Sequence, residues 1–351
     1  MSIFFAEGLL EWNRKSNRRE MPWKGEKDPY KIWISEIILQ QTRVEQGWAY
    51  YERFISNFPT VDHLAQATED QVFKLWEGLG YYTRCRNLIA TARFISHARG
   101  GRFPDTYEEI SKLKGIGPYT AAAISSFAFN LPHAVVDGNV IRVLSRVFGI
   151  DAPVNEGSSR KLFSNLANEL MGLHNPAAYN QAIMDFGATV CKPKSPECGN
   201  CPFREECKAF NLQLVNKLPN KQKKPAKKKR YFHYLIIDHN GELYLKKRKG
   251  KDIWQNLFEF CLYESDMLLE AEEFVKTEFF RTKLENTPYY IVHVSPARKQ
   301  QLTHQELNGR FFRIQVKTKP QGLDEYIPVA ENDISKLALP RFILSYLHEK
   351  V

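Results

Sequence analysis

Two domains, the first all-helical and the second α+β, are what this 351-residue sequence predicts. Three observations carry that expectation. Residues 60–210 break into short helical patterns with their own start and stop signals. After Lys229 the pattern changes to alternating runs rich in β-branched and aromatic residues. The excess positive charge is confined to the stretch between these regions. Residues 1–210 carry 25 basic and 23 acidic side chains, residues 231–351 carry 17 of each, and residues 211–230 carry eight basic and no acidic ones, which accounts for the net charge of +10. The reading is a helical domain over 1–215, a basic linker over 216–230 and a second domain over 231–351. The linker segment KLPNKQKKPAKKKR reads as solvated chain that is also able to track a phosphate backbone.

The chain opens on MSIFFAEGLLEWNRK, where Glu7 and Glu11 stand among Phe4, Phe5, Leu9, Leu10 and Trp12, an amphipathic surface helix. This start lacks the basic lead and small-residue cleavage site of a signal peptide, so a cytoplasmic protein is expected. No apolar run approaches the roughly 18 residues of a membrane span, and no membrane partner is expected. Thr68 and Gln71 form a capping box, after which Val72, Leu75, Trp76 and Leu79 mark a helical face that Gly80 ends. Thr106 and Glu109 repeat the box. Pro118 suits the first position of a helix that runs to Asn130, which makes LKGIGPYTA the turn of a helix-hairpin-helix over about 108–130. In the second domain, YFHYLII and ELYLKKR are strands joined by the hairpin signal DHNG; RFFRIQVKT is another strand, and LLEAEEFVKTEFF a helix between them. There is no internal repeat.

The chemistry-bearing residues fall in the first domain. Gly115 and Gly117 let the backbone approach a ligand closely, and the helix start that follows offers free N–H groups, an arrangement that suits one phosphate of a nucleic acid. Helices on both sides exclude the Rossmann and P-loop readings, which need a strand before the glycines. Glu36 lies in KIWISEIILQQT among Trp33, Ile34, Ile37, Ile38 and Leu39. A carboxyl against such a wall has its pKa raised from roughly 4.3 towards about 6–7, the range of a general acid. Asp137, in AVVDGNVIRVLSRVF, follows an apolar run and opens a helix as an N-cap. Cys191, Cys198, Cys201 and Cys207 form a C-x6-C-x2-C-x5-C array. In a cytoplasmic protein such cysteines point to a metal rather than disulfides, and the spacing alone leaves zinc and an iron–sulfur cube open.

Five stretches together resemble the adenine-specific mismatch DNA glycosylases of the MutY type, within the endonuclease III superfamily: MPWKGEKDPYKIWISEIILQQTRVE, WEGLGYYTRCRNL, LKGIGPYTAAAI, VVDGNVIRVLSR and the four-cysteine loop. They span residues 19–207. The resemblance implies a mostly α helix-hairpin-helix glycosylase domain with a 4Fe-4S cluster on loop 191–207, bound by Cys191, Cys198, Cys201 and Cys207, and an α+β Nudix-like C-terminal domain. It implies hydrolysis of the N-glycosidic bond of adenine mispaired with 8-oxoguanine or guanine in double-stranded DNA, by a monomer. Glu36 would protonate the flipped base, and Asp137 would face the sugar. Tyr119 and Asn139 would orient Asp137. Gln41 and Tyr81 resemble wedges that fill the base stack, with Thr42, Gly115, Gly117 and Thr120 as further DNA contacts. Arg19, Trp23 and Gln181 match the adenine pocket, Gln181 standing where some members carry glutamate.

Two rival readings follow from the same superfamily: a glycosylase-lyase for oxidised pyrimidines, and an iron–sulfur DNA-binding protein without catalysis. A lyase would keep a lysine where this chain has Tyr119, and a phenol forms no Schiff base. In the second domain LLEAEEFVKTEFF lacks the glycine and REx2EE pattern of a Nudix hydrolase box, so nucleotide hydrolysis is not expected. The family's lesion-reading Phe-Ser-His reads Leu302, Thr303 and His304 here, keeping a hydroxyl and an imidazole and replacing the aromatic ring with leucine.

Overall fold

A computed structural model of the chain describes residues 2–154, 156–172, 174–220 and 226–349. It divides into two compact units, the first comprising residues 1–67 and 86–223, the second residues 68–85 and 224–351. In chain order the helices up to the linker are α1 (Ser2–Lys15), α2 (Pro29–Leu39), α3 (Val44–Asn57), α4 (Val61–Gln66), α5 (Glu69–Trp76), α6 (Tyr82–Arg99), α7 (Tyr107–Ser111), α8 (Pro118–Phe129), α9 (Gly138–Phe148), α10 (Gly157–Met171), α11 (Pro176–Thr189) and α12 (Lys208–Asn211).

In the first unit, α1 is more than a surface helix: Phe5, Ala6 and Leu9 are fully buried against a core that includes Val143, Phe163, Ile183 and Phe186. One apolar stripe of a charged helix is enough to drive that docking. The turn between α7 and α8 forms as its sequence predicts. Thr106 caps α7 by accepting from Glu109 N, but the box expected there is only half made, the Glu109 carboxylate accepting from Arg99 Nη2 at 3.1 Å instead; Pro118 opens α8, and Asn130 ends it in the left-handed conformation. Gly115 has φ +82°, and a Cβ there would stand 2.6 Å from Asn87 Cβ, so both backbone and space require glycine. Leu113 and Ile116 anchor the turn in the core.

Three local expectations need correction. Thr68 and Gln71 do form a capping box, but α5 ends at Trp76 rather than Gly80 because Glu77 turns to extended φ/ψ; Leu79 is buried from the turn that follows. The stretch LLEAEEFVKTEFF is two helices, α13 (Ala271–Phe274) and α14 (Glu278–Leu284). Thr277 separates them: its backbone is extended, and its hydroxyl donates to Phe274 O and accepts from Phe280 N, capping the second helix. The basic linker is also shorter than its composition suggests. Leu218 is buried beside Cys207 and Ala209, and Lys228–Arg230 already belong to a strand; residues 221–225 lie outside the described residues.

The second unit is built on eight strands: β1 (Lys228–His239), β2 (Glu242–Lys247), β3 (Phe258–Glu259), β4 (Cys261–Ser265), β5 (Tyr289–Val294), β6 (Arg298–Gln301), β7 (Gln305–Val316) and β8 (Ile327–Ala330). The main path runs β3-β2-β1-β7-β5, with β4 paired to β1, β6 to β7 and β8 to β2. Among the described residues only β1 and β7 pair in parallel, from Lys228↔Gln305 to His239↔Val316. The β1–β2 turn has Asn240 and Gly241 at positive φ, the hairpin that DHNG predicts. Both faces of the central pair are covered: Phe274, Phe280 and Leu284 pack on Leu235, Ile237 and Phe312, whereas Tyr234 and Phe311 stack with Phe342 and Tyr346 of α15 (Arg341–His348). That double coverage explains the near-continuous apolar run of β1.

Candidate active site

Glu36 and Asp137, 101 positions apart in the chain, line one cavity of about 1030 Å³ in the first unit. Glu36 is held there by α2, whose N-cap Asp28 accepts from Tyr30 N and whose remaining side chains are mostly buried. It is 7% exposed. Burial pushes its carboxyl up to about 7, a hydrogen bond from the Tyr119 phenol works in the other direction, and the neighbouring Asp137 charge adds to the rise. Burial also keeps the Tyr119 phenol protonated, well above its ordinary range, so it acts as a donor.

Asp137 is the N-cap of α9. Its Oδ1 accepts from Asn139 N and Val140 N, both at 2.8 Å, and its Oδ2 accepts from Asn139 Nδ2 at 2.7 Å. Burial raises its pKa, while these donors and the charge of Arg142 oppose the rise. Arg142, one turn further along α9, donates from Nη2 to Asn139 Oδ1 at 2.9 Å, and the same nitrogen reaches Gly187 O at 2.6 Å. Its Nε donates to Cys191 O at 2.7 Å. Asn139 is thus fixed from both ends, its amide facing the carboxylate and its carbonyl facing the guanidinium.

Other sequence candidates surround the same cavity. Arg19, Trp23 and Gln181 line it, as do Gln41, Thr42, Gly117 and Thr120. Gln41 has φ +59° at the end of α2, so the backbone turns away there. Gly115 lies in the hairpin turn outside the cavity lining. Tyr81 and the Leu302–His304 loop belong to the second unit. Leu302, Thr303 and His304 form the β6–β7 turn, pinned by Leu302 N to Gln305 O at 2.8 Å and Lys228 N to His304 O at 3.1 Å.

Cys191, Cys198, Cys201 and Cys207 carry no disulfide, and their thiols lie near enough for each of Cys201 and Cys207 to feel the other three or two of them electrostatically. Arg146 Nη1 donates to Cys191 Sγ at 3.5 Å, and Cys207 Sγ donates to Arg146 O at 3.5 Å. Among the described residues no three metal-binding side chains converge on a point that would hold one metal ion.

The HhH-GPD superfamily of base excision DNA repair proteins matches residues 34–168, and a NUDIX domain matches residues 233–349. An adenine DNA glycosylase of Buchnera aphidicola subsp. Baizongia pistaciae is 39% identical over 260 residues, covering 74% of this chain and 74% of that protein. An adenine DNA glycosylase of the subspecies Acyrthosiphon pisum is 35% identical over 298 residues, covering 83% and 85%. The chain belongs to the adenine DNA glycosylase family. A solved thermostable thymine-DNA glycosylase, 29% identical, superposes with a TM-score of 0.56 over 60% of this chain and 97% of its own.

Within this family member, sequence reasoning missed Asp185, Lys24 and Arg142. Asp185 is fully buried and accepts from Arg19 Nη1 at 2.8 Å, Lys24 Nζ at 2.9 Å and Asn17 Nδ2 at 2.8 Å, fixing two cations of the cavity wall. The signal was present: a carboxylate inside the apolar stretch AIMDFGA is the same anomaly that marks Glu36. Arg142 gave no such signal, since an arginine in an amphipathic helix usually faces water.

Helix α11 approaches α9 closely at Gly187, where a Cβ would stand 2.8 Å from Asn139 Cβ and 3.0 Å from its carbonyl oxygen. Gly187→Ala therefore moves Asn139, and Asp137 with it. The expected result is a loss of about 10- to 100-fold in single-turnover excision, the scale of a displacement near 1 Å, together with a lower melting temperature. An unchanged rate would show that Asn139 does not set the position of the carboxylate.

Proposed function

We propose that this chain removes adenine mispaired with 8-oxoguanine or guanine from double-stranded DNA, hydrolysing the N-glycosidic bond and leaving the strand intact. The observation that carries the reading is the pairing in one cavity of Glu36, whose proton is retained up to about pH 7, with Asp137, whose carboxylate is oriented by three hydrogen bonds. Such divergent environments are how one site runs acid and carboxylate chemistry together.

The adenine must first leave the helix, because its reacting atoms are otherwise stacked; a mispair lowers that cost. Glu36 gives its proton to N7 of the flipped base. The C1′–N9 bond then breaks, its electron pair leaving with the base as neutral adenine. Asp137 faces the electron-poor C1′ and stabilises the oxocarbenium ion or traps it covalently, the retaining-glycosidase logic. Water adds its oxygen to C1′ and returns a proton to Glu36, which restores the starting state. Tyr119 supplies a phenol where a lyase would need an amine. Lys24 does carry an amine at the cavity wall, but its Nζ donates to Asp185 at 2.9 Å and to Arg19 O at 2.7 Å, contacts that hold it away from Schiff-base chemistry.

Cys191, Cys198, Cys201 and Cys207 would hold a 4Fe-4S cluster, which, when bound, would supply four iron–thiolate bonds bracing their loop. Gln41 and Tyr81 would enter the base stack, and Thr303 and His304 would face the oxidised base. A monomer in the cytoplasm completes the reading, and the basic segment near the linker suits contact with the phosphate backbone. The test is single-turnover excision from duplexes with adenine opposite 8-oxoguanine, guanine or thymine, each with borohydride trapping. Expected are fast excision opposite 8-oxoguanine and guanine and almost no trapped adduct. A high yield of trapped enzyme–DNA adduct would falsify strand-sparing hydrolysis, and equal rates opposite thymine would remove the mispair specificity.

A further inference from the structure

Residues 68–85 belong to the second unit, and they carry Tyr81. Four contacts tie this segment to the C-terminal part of the chain: Asn256 Nδ2 donates to Glu69 Oε2 at 3.0 Å, Lys247 Nζ to Asp70 Oδ1 at 2.5 Å, Lys74 Nζ to Leu337 O at 3.0 Å, and Leu339 N to Glu77 Oε1 at 2.8 Å. They fix α5 from its first turn to its last.

The turn that follows is equally constrained. Trp76 Nε1 donates to Gly80 O at 3.1 Å, and the Arg84 guanidinium lies 5.4 Å from the ring centres of both Trp76 and Tyr81. Tyr81 itself has φ +48°, a conformation that a tyrosine adopts only where the surroundings enforce it. Its ring is 40% exposed, and at the far end its hydroxyl hydrogen-bonds the hydroxyl of Thr303, the exposed tip of the β6–β7 turn. That turn is pinned on both sides of Thr303, by Leu302 N to Gln305 O and by Lys228 N to His304 O.

We propose that Thr303 is a positioning residue for Tyr81: the loop expected to read the damaged base also sets the angle at which the wedge enters the stack. An exposed ring on a short turn samples several rotamers, and ordering it opposes insertion through lost entropy. A hydroxyl partner on a separately pinned loop selects one of them before DNA arrives. The segment's four ties keep the two tips in register. Recognition of the base and opening of the stack are then one device rather than two. This rests on the reading of Tyr81 as a DNA wedge.

The test uses the full-length protein and single-turnover excision from duplexes with adenine opposite 8-oxoguanine and opposite guanine, with 2-aminopurine beside the lesion to report unstacking. Thr303→Val and Tyr81→Phe are each expected to lower the excision rate and the 2-aminopurine signal by about three- to tenfold on both duplexes, the range of one net hydrogen bond. The double variant should be no worse than either single one, and Thr303→Ser should restore the parent values. Multiplicative losses in the double variant, or a Thr303→Val effect confined to the 8-oxoguanine duplex, would mean that Thr303 reads the base without positioning the wedge, and overturn the proposal. Tyr81→Ala separates the underlying reading: if it leaves excision and fluorescence unchanged, Tyr81 is not a wedge and the proposal falls with it.

Discussion

Glu36→Gln is expected to lower single-turnover excision by about 10²–10⁴-fold, the usual contribution of a positioned general acid, while duplex binding stays intact. The amide keeps the volume of the carboxyl but has no proton to give to N7. In the parent protein the same group predicts that the rate falls as pH rises past about 7, because the donor form is lost there. The substitution also has a stability consequence of opposite sign. Folded Glu36 keeps its proton up to about pH 7, whereas in the unfolded chain it releases it near its ordinary 4.5. Between these values the folded state binds more protons, so stability falls as pH rises through the window, by about 1.4 kcal/mol per unit and ~3 kcal/mol in all. Glu36→Gln removes that loss. Denaturant unfolding should find the variant more stable than the parent at pH 8, with the difference shrinking towards pH 5. Parallel pH dependences for the two proteins would show that Glu36 is not the buried acid described above.

Asp137→Asn is expected to cost about 10²–10³-fold in the same assay, the scale of losing one preorganised electrostatic partner of the transition state. An asparagine still caps α9, since its Oδ1 can accept from Asn139 N and Val140 N as Asp137 Oδ1 does now. Its Nδ2, however, would face Asn139 Nδ2, donor against donor, where Asp137 Oδ2 accepts at 2.7 Å. Turning the Asn139 amide over relieves that clash only by presenting its NH₂ to Arg142, which now donates to its carbonyl oxygen at 2.9 Å. The negative charge proposed to face C1′ is lost in either arrangement. Because the cap survives, the melting temperature should change by only a few degrees while the rate collapses. A parent-like rate would show that the carboxylate serves only as a cap.

What could be read in advance follows the range of the interactions involved. The Thr68–Gln71 box, the Pro118 and Asn130 limits of α8 and the Asn240-Gly241 turn each depend on partners within about four residues, so their signals sit together in the chain. Glu36 was legible for a different reason: a carboxylate in an almost wholly apolar helix is anomalous whatever packs against it. The reading overran where a local competitor was overlooked, as at Thr277, whose hydroxyl ends one helix and begins the next.

By itself, then, the sequence determined the helical and α+β halves, the hairpin turn, the four-cysteine loop and both carboxylates. Tertiary structure alone decided that Glu36 and Asp137 share a cavity, that Asp185 fixes Arg19 and Lys24, and that Arg142 links Asn139 to the Cys191 carbonyl. It also decided the parallel pairing of β1 with β7 and the meeting of Tyr81 with Thr303. These are contacts between residues from 49 to 222 positions apart, except for the Arg142–Asn139 step within α9. Their formation depends on how whole faces of helices and strands bury against one another, which no local pattern of side chains records.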